Sequence, residues 1–196
     1  MLFLILGPSG VGKGTQIELL KKRHPEFVFP KSITTRKMRP GEAEGLPYHF
    51  ISDAQFDAYI ANDEFLEWAE VHQAARYGTI RKPIEEAVAT GKVVIKELDI
   101  QGLKKIEESI SKQDSDFLRG KVQSIFIMPP DEATLITRIT QRSVIKEREL
   151  NARLESAKRE MAEAGRCTYM INTSVEDSIE DVYKKLENIL HPQHSS

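Results

Sequence analysis

The chain has 196 residues, enough for one domain with a sizeable core. Its 28 Lys and Arg against 30 Asp and Glu leave a formal net charge of -2, which excludes a general field for nucleic acid or a membrane surface. Cys167 is the sole cysteine, so no internal disulfide forms; the opening apolar run is too short for a signal peptide, and no stretch approaches transmembrane length, which together point to the cytoplasm.

Leu2-Phe3-Leu4-Ile5-Leu6 predicts a buried strand, followed by a glycine-rich turn and a helix from about Lys13 to Arg23 that stops before Pro25. Ile17 and Leu20 share a face of that helix. Phe27-Val28-Phe29 reads as a second strand. The span 32–79 then breaks the pattern with Pro40-Gly41, Gly45, Pro47 and Gly78, and holds one helical stretch near 53–61. It reads as a lobe inserted into a core made of 1–31 and 80–196. Val93-Val94-Ile95 is a third strand, 111–121 a polar surface connection, and Val122 through Met128 a fourth strand. Leu150, Leu154, Ala157 and Met161 fall at helical spacing, with Gly165 placed to cap the C-terminus. Tyr169-Met170-Ile171 is the last strand. Ile179, Val182, Leu186 and Ile189 mark a closing helix, capped from Thr173 or from Ser174 with Asp177, and the tail 191–196 is expected to fray. Strands alternating with helices imply an α/β fold whose parallel sheet is covered on both sides.

The turn after the first strand carries the strongest chemistry. Gly7, Pro8, Ser9, Gly10, Val11, Gly12, Lys13, Gly14 and Thr15 give G-x-x-x-x-G-K between strand and helix. Glycines let the backbone wrap a phosphate chain with its N–H groups pointing inward, and the helix start adds a positive end. Lys13 supplies a mobile charge for the outer phosphates of a nucleoside triphosphate. The following position, usually a hydroxyl residue that touches magnesium, is Gly14, and the hydroxyl is delayed to Thr15. Within the lobe, Arg36 and Arg39 precede the Pro-Gly turn and could fork onto one phosphate, with Tyr48 as a donor and Glu42 orienting an arginine. The alternative on charge alone is a solvated basic turn, or a nucleic-acid patch of Lys31, Arg36, Lys37 and Arg39. The five histidines show no metal-ligand spacing; Cys167 reads as buried filler and Trp68 as packing for the lobe.

Over almost its whole length the chain resembles the guanylate kinase family. The resemblance is carried by Gly7-Pro-Ser-Gly-x-Gly-Lys13 and by Ser32-x-Thr-Thr-Arg36-x-x-Arg39-x-Gly-Glu42-x-x-Gly45-x-x-Tyr48-x-Phe50. It continues through Glu64-Phe-Leu-Glu67-Trp68-Ala69, Tyr77-Gly78-Thr79, Asp99-Ile-Gln101-Gly102 and Met128-Pro129-Pro130. It implies a P-loop NTPase fold of three α/β/α layers, with 32–79 as the GMP-binding lobe and 138–153 as a lid. It also implies transfer of phosphate from ATP to GMP, and to dGMP, with Mg²⁺ as cofactor. Arg36, Arg39, Tyr48 and Tyr77, supported by Glu42, resemble the clamp on the GMP phosphate; Ser32, Glu67, Thr79 and Asp99 resemble the guanine readers. Arg138, Arg142 and Arg153 match the lid arginines, and Asn172 the asparagine beside adenine. Lys13, Arg36, Arg39 and the lid arginines would be the catalytic set.

The chemistry of the bases agrees with the acidic readers. Guanine presents two donors, N1–H and an amine, to a carboxylate, whereas adenine presents an acceptor. The accepting phosphate has a second pKa near ~6 and needs no general base, so positioning and charge neutralisation suffice for in-line transfer in a site closed to water. Four departures from the family pattern stand out: Gly14; 72–76 as His-Gln-Ala-Ala-Arg, which puts Arg76 where the family has a tyrosine; a lid without a glycine after Arg142 but with Lys146 and Arg148; and a longer connection at 111–121. Lys13-Gly14-Thr15-Gln16 is the wording of adenylate kinases, which makes AMP the rival acceptor; a non-catalytic guanylate-kinase-like binding module is the rival from another class. No side chain is assigned to the metal, and no feature specifies an oligomeric state or a nucleic-acid or membrane partner.

Overall fold

The opening run forms strand β1 (Leu2–Leu6), and all of it is buried, so both faces of its sheet are covered. The structure, a computed structural model, describes residues 1–38, 41–45, 48–71, 75–142 and 145–191. These fall into two units, one of Phe3–Pro25, Ile95–Ile100 and Gln123–Ser196, the other of Met1–Leu2, Glu26–Val94 and Gln101–Val122.

In the first unit, β1 lies between β6 (Val94–Glu97) and β7 (Val122–Met128), with β8 (Tyr169–Asn172) beyond β7. The sheet is parallel. The chain moves from β1 to one neighbour and then to the other, so the order of strands reverses at β1. Ligands of wound sheets bind beyond the strand C-termini at such a reversal. The glycine-rich turn lies there, followed by helix α1 (Lys13–Arg23). Helices α5 (Glu132–Arg142) and α6 (Glu147–Ala162) bury Leu135 and Ile139 against Leu154 and Ala157. The closing helix, α7 (Ile179–Leu190), buries Tyr183, Leu186 and Leu190.

The second unit is built on an antiparallel hairpin, β4 (Phe65–Val71) and β5 (Ala75–Ile80), extended by β2 (Ser32–Thr34) and β3 (His49–Phe50) in the order β3-β2-β5-β4. Helix α2 (Asp53–Ala61) starts with a reciprocal Ser52–Gln55 capping box and drives Phe56 into a core of Ile33 and Phe65. Trp68 packs on the same cluster, as its neighbourhood in sequence suggested. Helices α3 (Arg81–Ala89) and α4 (Ile100–Ser111) follow β5 and β6.

Several local readings change. Residues 27–29 form no strand; Val28 makes a single parallel bridge to Val94. Gly165 does not cap α6, which ends at Ala162 with Glu163 as its C-cap, before a short 3-10 turn, Ala164–Arg166. Ser174 and Asp177 do bond each other, but α7 is capped one turn later by a Ser178–Asp181 box; its buried face carries Tyr183, Leu186 and Leu190, and Ile179 is 58% exposed. The connection at 111–121 is no mere surface loop, because Ser115 and Leu118 are fully buried. Cys167 is half-buried rather than core filler. The expected fraying at 192–196 lies outside the described residues. No helix among the described residues is long and apolar enough to cross a membrane.

Candidate functional site

Backbone that side chains would spoil shapes the turn after β1. Gly7 and Gly10 have φ of +140° and +89°, and a Cβ on them would fall 2.6 Å from the Ile127 carbonyl oxygen and 2.8 Å from the Ile139 side chain. Helix α1 begins without a side-chain cap, so its first N–H groups are available to an anion. Lys13 Nζ donates to the carbonyls of Gly7 at 2.5 Å and Pro8 at 3.2 Å, and lies 3.7 Å from the Glu97 carboxylate at the end of β6. Pro8 and Val11 are buried, whereas Ser9, Gly14 and Thr15 are exposed.

Of the other residues matched to the donor side, Arg138 lies against this turn, donating to the Val11 carbonyl at 3.2 Å. Arg153 pairs with Glu149 one helical turn earlier, at 2.7 Å. The Arg142 side chain lies outside the described residues. Asn172 ends β8 and is exposed; Asp99, matched to the guanine readers and not to the donor side, is exposed between β6 and α4, outside the sheet that holds Ser32, Glu67 and Thr79. Sequence reasoning missed Glu97; its signal is an acid closing an apolar strand, and only the adjacency of β6 to β1 reveals its place. Glu160 of α6 was missed as well. Burial pushes its carboxyl up, while the Lys13 charge and a hydrogen bond from Ser156 pull it back.

In the other unit the register explains the site. Ser32 pairs with Thr79, and Thr79 with Glu67, so the three lie in one row across β2, β5 and β4. Paired residues share a face of a sheet. Tyr77, two residues before Thr79, lies on that face, about 7 Å along the strand. The intervening row, Ile33, Gly78 and Trp68, points to the Phe56 core. A Cβ on Gly78 would fall 2.4 Å from the Phe65 ring, so nothing larger fits there. Glu67 is only 8% exposed, and its carboxylate accepts from the Thr79 hydroxyl at 2.5 Å. On sequence alone it would have read as a surface acid.

One step along this face, Arg36 is held by a two-pronged pair with Glu42, at 2.9 and 2.8 Å, and its Nε donates to the Tyr77 hydroxyl at 3.0 Å. Glu42, with Tyr77 adding, pushes the guanidinium pKa further up, so it stays charged. The Tyr48 ring meets Tyr77 edge-on at 5.5 Å and lies 5.6 Å from the guanidinium. Four of the five residues matched to the phosphate clamp are therefore together; Arg39 lies outside the described residues.

The sequence model for guanylate kinase matches residues 1–193. The chain belongs to the guanylate kinase family. Guanylate kinase of Trichodesmium erythraeum is 40% identical over 189 residues, covering 96% of this chain and 95% of that one. That of Tropheryma whipplei (strain Twist) is 34% identical over 190 residues, covering 96% and 94%. The crystal structure of guanylate kinase from Anaplasma phagocytophilum superposes with a TM-score of 0.72 at 29% identity, covering 100% of this chain and 87% of that one. Against this guanylate kinase background the departure at Arg76 acquires a structural role. The arginine faces away from Tyr77, pairs with Asp57 and Asp53 of α2 at 2.5 and 2.8 Å, and lies 4.7 Å over the Phe56 ring, stapling β5 to α2.

Proposed function

We infer that the two groups of residues serve the two substrates of one transfer. The chain passes the terminal phosphate of ATP to GMP, giving ADP and GDP; dGMP is a second acceptor. The observation that carries the reading is the row of Ser32, Thr79 and Glu67, with Arg36, Glu42, Tyr48 and Tyr77 one step along the same face. A carboxylate has about four acceptor positions, so Glu67 can keep the Thr79 bond and still take N1–H and the amine of guanine. Ser32 and Asp99 complete the reading of the base. AMP would set its N1 acceptor against this buried carboxylate, which disfavours it by about 10⁴-fold. The Tyr77 hydroxyl, accepting from Arg36, has its own proton to give to the GMP phosphate, and Arg39 joins Arg36 and Tyr48 on it.

On the donor side, Gly7 to Thr15 wrap the phosphates, Asn172 lies beside adenine, and Lys13 exchanges the Gly7 and Pro8 carbonyls for phosphate oxygens. Arg138, Arg142 and Arg153 neutralise charge that develops as the phosphoryl group moves. The donor set suits Mg²⁺, which favours oxygen ligands and keeps several of its waters. Thr15 and Glu97 would hold it, and it would supply positive charge to offset that of the transferred phosphates. A Cβ on Gly14 meets nothing within 4 Å, so Gly14→Ser should fold like the parent. By supplying the delayed hydroxyl one residue earlier, it is expected to lower the Mg²⁺ concentration for half-maximal turnover; an unchanged or raised value would argue against metal at this end of the loop.

The reading is tested by a coupled assay of ADP release with ATP against GMP, dGMP, AMP, CMP and UMP. Turnover with GMP and dGMP, and little with the others, is the expected outcome. Folded protein with magnesium but without GMP turnover would leave a binding module, and a preference for AMP would refute the base assignment.

A further inference from the structure

Glu67 reaches its row by an irregularity. Phe65 pairs with Ile80 but Glu67 pairs with Thr79, so one extra residue, Leu66, is accommodated between them. Continuing the first register would set Glu67 opposite Gly78, on the face that packs against Phe56. A slip of one residue exchanges the two faces of a strand, and a bulge interrupts the ladder that would otherwise resist the slip. The side chain that reads the base therefore depends on whatever holds this bulge.

Two cations from outside the hairpin's strands hold it, one on each side of Glu67. Arg81, the first residue of α3, donates Nη2 to the Phe65 carbonyl at 3.2 Å. Its other arm is anchored, with Nη1 donating to the Asp114 carbonyl at 2.6 Å and to Ser115 Oγ at 2.9 Å. Ser115 is fully buried and shares a hydrogen bond with Ser109 of α4 at 2.6 Å. Lys105, also on α4, donates to the Trp68 carbonyl and lies 4.8 Å over the Trp68 ring. Charge-assisted bonds to main-chain carbonyls are the stronger kind, and the planar fork of arginine can grip two segments at once where lysine cannot. The long connection at 112–121 thereby gains a purpose, as the anchor for Arg81.

We propose that Arg81 and Lys105 are specificity-positioning residues, which fix the bulged main chain so that the Glu67 carboxylate faces guanine. The proposal rests on Glu67 reading the base. The test compares kcat/KM for GMP with that for IMP, which lacks the exocyclic amine, in Arg81→Lys, Lys105→Met and Glu67→Gln. Lys105→Met keeps the stem over Trp68 and removes the donor, so it carries the test if Arg81→Lys does not fold, as judged by thermal melting. Each positioning variant is expected to lower the GMP-to-IMP ratio by about tenfold, through KM for GMP, with KM for ATP unchanged. Adding Arg81→Lys or Lys105→Met to Glu67→Gln should change the ratio by less than about twofold, because the group being positioned is already gone. A ratio unmoved by Glu67→Gln would overturn the reading of Glu67 itself. A ratio that falls with Glu67→Gln but not with either cation variant would overturn the positioning role. So would effects that multiply in the double variants.

Discussion

Lys13→Met is expected to lower turnover by about a thousandfold while GMP binding, measured by calorimetry, stays within about twofold. The side chain is 11% exposed, and its ammonium meets the Gly7 and Pro8 carbonyls and the Glu97 carboxylate, all around the glycine-rich turn. Methionine fills a similar volume, so the loop keeps its packing, and Glu97 is half exposed and stays hydrated without the ammonium. The loss then falls on charge developing at the transferred group, which an apolar side chain cannot meet. Equal loss of GMP binding and turnover would place Lys13 on the wrong substrate.

Arg36→Ala is expected to reduce kcat/KM for GMP by about a hundredfold or more and to leave ATP binding intact. It also strips Glu42, whose side chain is only 18% exposed, of its paired charge, and lowers the melting temperature. The two effects separate in Arg36→Ala with Glu42→Gln. Neutralising Glu42 should restore part of the melting temperature and none of the turnover, because the acceptor's dianion still lacks its fork. Recovery of turnover in the double variant would show that Arg36 serves only to balance Glu42.

How far the sequence could be read depended on the range of each interaction. Helices 13–23 and 53–61 were legible because their signals are local, the stop before Pro25 for one and the Ser52–Gln55 box for the other. The sequence offers Ser174–Asp177 as the cap of the last helix, one turn before the actual Ser178–Asp181 box, because the two pairs carry the same local chemistry and both form. The run at 27–29 has strand propensity, but it forms only the Val28–Val94 bridge, and such pairing is invisible locally. The burial of Ser115 and Leu118 likewise needed Arg81, more than thirty residues away, to give a polar stretch a reason to fold inward.

By itself, the sequence determined the glycine-rich turn between strand and helix and nominated the groups proposed to meet each substrate. Glycine spacing, a lysine and the order of strand and helix are local facts. It also carried enough ordered motifs to name the family. The tertiary structure alone decided which way those groups face. Glu97 reaches Lys13 because β6 adjoins β1, Arg76 turns to α2 while Tyr77 turns to Arg36, and Glu67 meets Thr79 through a one-residue bulge. The physical reason is the two-residue period of a strand: composition says what a side chain can do, but register, set by packing between distant segments, chooses its face.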